Sequence, residues 1–224
     1  MSNFAGGNPT SSFWSEDLLR GVFAIISLCV AVIPMAVTAL VVWAILGRPI
    51  LFKQVRAGRG TTPFMIYKFR TMHEHRDSSG NLLPDAARAT PVTNLIRRLR
   101  FDELPQLISI LRGDMTLVGP RPLWPETIEE FGALGHHRCK VRPGLAGWAQ
   151  VNGATLLSNP QKIALDIWYV EHRSFLLDIR ILFLAVGTVL FGERLNEKHV
   201  EVAEAFVATL SENDNQSPAE QQQS

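Results

Sequence analysis

Apolar residues crowd towards one end of the chain. Gly21 to Leu46 is a run of 26 residues without a formal charge. As a straight helix it would be about 39 Å long, against roughly 30 Å of bilayer hydrocarbon. The pattern predicts a membrane segment. A secretory signal fits poorly, because the run is too long and no small-residue cleavage site follows it before Arg48. Pro34 stands near the centre, where it removes a backbone hydrogen bond and clashes with the preceding turn, so a kink or a break is expected. Either a kinked helix spans the bilayer, or two half-helices dip in and return to the same face. Arg20 before the run and Arg48, Lys53, Arg56 and Arg59 after it lean towards the second, since basic residues favour the cytoplasmic side. Hydropathy alone leaves both open.

Past Pro49 the pattern changes to short apolar segments separated by turn signals. Phe64 to Tyr67 reads as a strand, and Ser78-Ser79-Gly80-Asn81 as a turn. Thr90-Pro91 can open a helix, with Thr as its cap and Pro at its first position. Leu95, Ile96 and Leu99 then share a face, with Arg97, Arg98 and Arg100 around it. Leu104 to Leu111 reads as a further helix with Pro105 in its first turn and Gly113 ending it. Gly132 to Lys140 reads as an exposed turn. Lys162–Trp168 and Phe175–Phe191 are helical and strongly apolar, and the second suits a membrane surface because Arg180 is its single interior basic residue. After Glu212 the chain is polar and low in complexity, and is expected to be disordered.

At 224 residues there is room for one compact domain and an added element. Two cysteines, Cys29 and Cys139, make no disulfide framework, so an oxidising compartment is not required. The net charge of +1 hides a segregation. From Arg48 to Arg142 there are 16 Lys/Arg against 9 Asp/Glu, whereas from Glu193 onward 7 acidic residues face Arg194 and Lys198. The middle of the chain suits an anionic ligand or membrane surface. It carries no helix-turn-helix, zinc or RNP pattern, and the membrane segment also argues against nucleic acid. His136-His137-x-Cys139 lacks the further ligands a zinc site needs.

Three blocks carry candidate chemistry. In Arg97 to Pro122, RRLRFDELPQLISILRGDMTLVGPRP, the adjacent Asp102 and Glu103 stand just ahead of a helix start, among Arg97, Arg98, Arg100 and Arg121. Carboxylates beside arginines can bind Mg²⁺ and a phosphate together. A carboxylate can also attack phosphorus and form an acyl phosphate. A solvated Asp-Glu turn would look the same in isolation. Lys68 and Arg70 in YKFRTM are two apart, which puts them on one face of a strand, towards a phosphate or a headgroup. In Val141 to Gly153, VRPGLAGWAQVNG, the glycines and Pro143 make tight turns, and Trp148 could stack or anchor at an interface.

Order and spacing together resemble the bacterial sugar transferases, the monotopic phosphoglycosyl transferases that act as undecaprenyl-phosphate sugar phosphotransferases. The resemblance covers roughly residues 15–195: an apolar segment with a central proline, YKFRTM, FDELPQL, RGDMTLVGPRP, KVRPGLAGWAQVNG and LDIWYVEHRSFLLDIRIL. It implies an α+β, mainly helical fold. A small cytosolic catalytic domain (48–195) would carry interfacial amphipathic helices. Ahead of it would come a flexible start (1–14) and a re-entrant helix (15–47) broken at Pro34; an acidic C-terminal tail (196–224), disordered at its end, would follow. It further implies Asp102 as the nucleophile that takes the phosphosugar from a UDP-sugar and expels UMP, before transfer to polyprenyl phosphate in a ping-pong cycle. Glu103 is the implied partner, for proton handling or Mg²⁺ placement. Arg97 and Arg121 match phosphate-contacting positions, and Lys68, Arg70 and Arg142 are grouped with them. Mg²⁺ on Asp102, and on Glu103 as a further ligand, is the implied cofactor. The implied location is the cytoplasmic face of the bacterial inner membrane. The partners are the two substrates and the bilayer, and an anchor of this kind can pair with a second copy.

The chain departs from the common pattern in three places. Leu99-Arg100-Phe101 is a variant lead-in to Asp102, Ala154 stands where many relatives carry Arg, and Ile33 stands where a Ser before the proline is frequent. Loss of the cation at Ala154 points to sugar specificity. Two rival readings are an inactive scaffold of the same fold and a glycosyltransferase that releases UDP. Retention of Asp102, Glu103, Arg97 and Arg121 together argues against the scaffold.

Overall fold

The computed structural model describes residues 29–220, with side chains described as far as residue 210. It is mainly helical with two small two-stranded sheets. Helix α1 (Cys29–Leu46) is the one described helix long and apolar enough to cross a membrane. Its residues are not all exposed. Ala31, Thr38 and Val42 are buried and Met35 is half-buried, a stripe at helical spacing. That stripe meets the rest of the protein: Ala31 and Met35 pack with Ile66, Leu107 and Met115, and Val42 with Phe69 and Ile96. Val30, Ile33, Val37, Leu40 and Trp43 remain exposed on the other side. The helix continues through Pro34, so a break into two half-helices is not seen within residues 29–46. Thr38 Oγ1 donates to the Pro34 carbonyl at 2.7 Å, a back-bond of the kind that bends helices. The expected arm over residues 15–28 and the flexible start at 1–14 lie outside the described residues.

Strands β1 (Leu51–Ala57) and β2 (Pro63–Phe69) form an antiparallel hairpin in the register Leu51↔Phe69 to Ala57↔Pro63. After it come the short helix α2 (Asp85–Arg88) and helix α3 (Pro91–Arg98). Thr90 caps α3 as its sequence predicts, in a reciprocal pair with Thr93. The stretch read as one helix from Leu104 is two elements: a 3-10 turn over Phe101–Gln106, then α4 (Leu107–Leu111). Pro105 lies in the tighter turn, where its missing N–H is tolerated. Gly113, at φ +81°, ends the unit.

Strand β3 (Thr116–Val118), helices α5 (Pro125–Glu130) and α6 (Gly132–Arg138), and strand β4 (Gly144–Ala146) follow. The expected exposed turn over Gly132–Lys140 is therefore mostly helix, and Arg138 and Cys139 are buried. β3 and β4 pair in parallel, Thr116↔Gly144 and Val118↔Ala146. Their ends touch backbone to backbone. A Cβ on Gly144 would stand 2.1 Å from Gly119 N, and one on Gly119 would stand 2.7 Å from the Arg142 carbonyl oxygen. Backbone cannot retreat as a flexible side chain can, so Gly144→Ala is expected to cost about 3 kcal/mol or more. A thermal melt within 1 °C of the native protein would refute that.

The core is built on α8 (Asn159–His172), which follows α7 (Trp148–Val151). Leu165 and Tyr169 pack with Val118, Trp148 and Ile181, the last from α9 (Phe175–Phe191). Trp148 is 2% exposed and stacks on Trp168, so it is a core residue and not an interfacial anchor. The C-terminal region is also structured. α10 (Glu197–Glu220) contributes Val200 and Ala203 to the same core, so the first part of the expected C-terminal tail is helical and packed. Alternation of Val200, Ala203 and Val207 at helical spacing is the signal behind it.

Candidate active site

Chain geometry aims the Asp-Glu pair. α3 ends at Arg98, and Arg100 adopts the left-handed conformation (φ +60°), a strained choice for a residue with a side chain. The chain reverses there and enters the 3-10 turn with Asp102 and Glu103 in its first positions. Behind them lies β2, which supplies Lys68. Across from them lies the Pro120-Arg121-Pro122 segment, held by the β3–β4 contact.

The two carboxylates have opposite surroundings. Glu103 is buried, and its Oε1 accepts from Lys68 Nζ at 2.8 Å and from Arg121 Nη2 at 2.6 Å. Arg100 Nη1 lies 3.5 Å from its Oε2. Burial pushes the Glu103 carboxyl up, but Arg121, Lys68 and Arg100 together push harder, and it sits well below the usual carboxylate range. Asp102 forms no ion pair with another side chain among the described residues. Burial, and then the charge on Glu103, raises its carboxyl from 3.8 to about 6. Two neighbouring carboxyls are thus pushed apart, one locked as an anion and one poised near neutrality. Burial also lowers the Lys68 ammonium, with Glu103 opposing.

A second ionic layer supports the first. Arg138 and Asp166 form a buried pair at 2.5 Å, and Arg138 Nη2 donates to the Arg121 carbonyl at 2.7 Å. That fixes the backbone from which Arg121 reaches Glu103.

These groups face a cavity of about 530 Å³. Of the residues expected from sequence, Lys68, Arg97, Asp102, Glu103 and Arg121 line it together. Arg70 and Arg142 do not. Arg70 lies one residue past the end of β2, and its guanidinium donates to the carbonyls of Leu46 (Nη2) and Gly47 (Nη2, 3.0 Å) at the end of α1. It satisfies orphan helix carbonyls and favours the negative end of the helix dipole. Arg142 is placed at the backbone crossing with Gly119. The far wall comes from residues that sequence reasoning missed: Asn159, Lys162 and Asp166 of α8, Gln150 of α7, and Glu193. A polar stripe at positions 159, 162 and 166 of an otherwise apolar helix was the available signal. Ala154, at φ +45°, also lines the cavity, beside Thr155, whose N–H donates to Glu193 Oε2 at 3.0 Å.

Adjacent carboxylates in a cation-rich cavity, beneath an exposed apolar helix, define a class. A family model described as bacterial sugar transferase matches residues 13–192, and the chain belongs to that family. It is an enzyme of that class and is membrane-associated. Among individual proteins it is similar to EpsL of Bacillus subtilis (strain 168), named an uncharacterized sugar transferase. They are 46% identical over 186 residues, 83% of this chain and 92% of that protein. It is 40% identical over 161 residues to the UDP-glucose:undecaprenyl-phosphate glucose-1-phosphate transferase of Caulobacter vibrioides, covering 63% of this chain and 57% of that one. It is 38% identical over 152 residues to the UDP-N-acetylgalactosamine-undecaprenyl-phosphate N-acetylgalactosaminephosphotransferase of Aeromonas hydrophila. That match covers 64% of this chain and 36% of its relative. The chain therefore spans only part of the last two.

Proposed function

We propose that the protein transfers a sugar 1-phosphate from a UDP-sugar to a polyprenyl phosphate and releases UMP, through a covalent intermediate on Asp102. The observation that carries this is the contrast inside the Asp-Glu pair. Glu103 is fully engaged by three cations, while Asp102 faces the cavity without an ion pair among the described residues. An Asp102 oxygen attacks the sugar-linked phosphorus, and the bond from that phosphorus to the bridging oxygen breaks. UMP leaves with the electron pair. In the second half, an oxygen of the acceptor phosphate attacks the same phosphorus, and the Asp102 carboxylate leaves. Arg121 and Lys68, held by Glu103, and Arg97 at the cavity wall offset the charge gathered by the phosphates.

The residues fit a magnesium ion, in a limited way. Among the described residues no cluster of three acidic, His or Cys side chains forms a cage, and the Glu103 oxygens are taken. Mg²⁺ commonly rests on one or two carboxylates plus substrate phosphates, and Asp102 with the donor diphosphate meets that need. Bound there, the ion would supply positive charge against the diphosphate. Glu103 has the separate task of organising Lys68 and Arg121.

The anchor reading is supported by α1. Ahead of Ala31, the first buried residue described, residues 21–30 carry no formal charge, a stretch shorter than the roughly 20 residues a spanning helix needs. An anchor that enters and returns on the cytoplasmic face suits that length and keeps Asp102 at the interface.

The test is nucleotide release from purified protein in lipid nanodiscs, with Mg²⁺ and a panel of UDP-sugars. One donor should give about one UMP per protein without acceptor, and continuous UMP once undecaprenyl phosphate is added. UDP in place of UMP would overturn the reaction, and silence with every donor would favour a scaffold.

A further inference from the structure

The Asp102 cavity has a neighbour. A second groove of about 550 Å³ lies between the end of α9 and the start of α10, and the two share Thr188 and Gly192. Val151, Leu184, Phe191 and Leu195 give it an apolar lining, with Arg194, Lys198 and a single acidic residue, Glu197, beside them, a net positive set. Arg194 and Lys198 are the basic residues of a C-terminal region that otherwise carries 7 acidic ones. Both are exposed, and neither forms an ion pair among the described residues. Phe191 is 73% exposed and Leu195 44%, so large apolar side chains face outward at the rim. Gly187, in the body of α9, has nothing within 4 Å of where a Cβ would stand. A glycine there costs the helix about 1 kcal/mol relative to alanine and leaves the groove open.

We propose that this groove seats the polyprenyl phosphate acceptor. Its apolar residues hold the first isoprene units, Arg194 and Lys198 draw in the phosphate, and the Thr188–Gly192 edge is where that phosphate passes to Asp102. The inference rests on the reaction proposed above and adds where the second substrate enters. Three features select the occupant. The groove pairs apolar surface with cations, which suits an amphiphilic anion and not a free nucleotide. It borders exposed apolar residues of α9, so a lipid chain reaches it without crossing water. It opens onto the catalytic cavity, which a structural phospholipid would not need.

Two variants test it in nanodiscs of neutral phosphatidylcholine. Gly187→Leu fills the open place on α9, and an Arg194→Gln/Lys198→Gln double variant removes exposed charge without touching the core. Each is expected to raise the acceptor KM roughly tenfold, while single-turnover UMP release without acceptor stays within about twofold of the native rate. Unchanged acceptor KM in both variants would overturn the proposal, as would an equal fall in the donor step. So would a charge effect that is absent in neutral lipid and appears only when anionic phosphatidylglycerol is added at constant acceptor, because general membrane charge would then explain it. Binding of undecaprenyl phosphate, read by tryptophan fluorescence in the Asp102→Asn background, tests the groove separately from turnover. That readout holds even where the native protein releases no UMP.

Discussion

Asp102→Asn protein should release UMP roughly a thousandfold more slowly than the native protein, or not at all, and should nevertheless melt at a higher temperature at pH 7.5. In the reaction proposed above an amide cannot attack phosphorus, so its first half would stop. The stability gain follows from the carboxyl that was replaced. Burial first, and the Glu103 charge second, raise it from 3.8 to about 6. A carboxyl whose folded pKa lies above its unfolded one binds its proton more tightly in the fold, so its ionised form opposes folding. Native stability is then greatest relative to the variant near pH 4 and falls as pH rises through about 6. The full cost above that is on the order of 2–3 kcal/mol. The variant carries no such term, so the gap in melting temperature should be several degrees at pH 7.5 and close by about pH 4. A gap of the same size at both pH values would mean that Asp102 is not desolvated. Rapid UMP release by the variant would remove Asp102 as the nucleophile.

Glu103→Gln is expected to fail for a different reason. The change leaves Lys68, Arg121 and Arg100 around a neutral side chain, and breaking one partner of a buried charge cluster typically costs about 3 kcal/mol or more. Stability should therefore fall where that of Asp102→Asn rises. Glu103 owes its depressed pKa to those cations. Its contribution is present above the unfolded carboxylate value near 4.5 and is lost as pH falls further. The two variants should thus diverge most at neutral pH and converge in acid. The kinetics carry a second signature. Glu103 raises the pKa of Asp102, while Lys68 and Arg121 lower it. With the anion gone and the cations retained, the acid limb of single-turnover UMP release should move to lower pH than in the native protein. A limb that stays in place or moves up would show that Glu103 does not set the charge on its neighbour.

Much of this was legible in the sequence because it rests on local chemistry. The Thr90-Pro91 cap and the span Phe175–Phe191 need only capping rules and periodicity, and both stand as read. Asp102, Glu103 and Arg121 were visible as a charged constellation, since that wall of the cavity is assembled largely within one stretch of chain. Arg70 was misplaced because alternation along a strand was extended one residue beyond the strand's end. There the side chain is free to turn towards the carbonyls at the end of α1. The far wall leaves only a polar stripe at Asn159, Lys162 and Asp166, and which cavity that stripe faces depends on how α8 packs against α6, α7 and α10. Arg138 was similarly hidden: a polar residue in a short glycine-containing segment reads as surface, yet it is sealed in with Asp166.

The way α1 lies along the rest of the protein has a consequence for biogenesis. Val42 and Ala31 are side chains of the anchor, yet they complete clusters whose other members are Phe69, Ile96, Ile66 and Met115. The division at residue 47 that hydropathy suggests is therefore not a boundary between independently stable pieces. A fragment beginning at Arg48 would carry an uncovered trough where the helix belongs, and should be recovered as aggregate instead of as a soluble enzyme. Placement of α1 and settling of the later segments should therefore be coupled, because each completes the other's core.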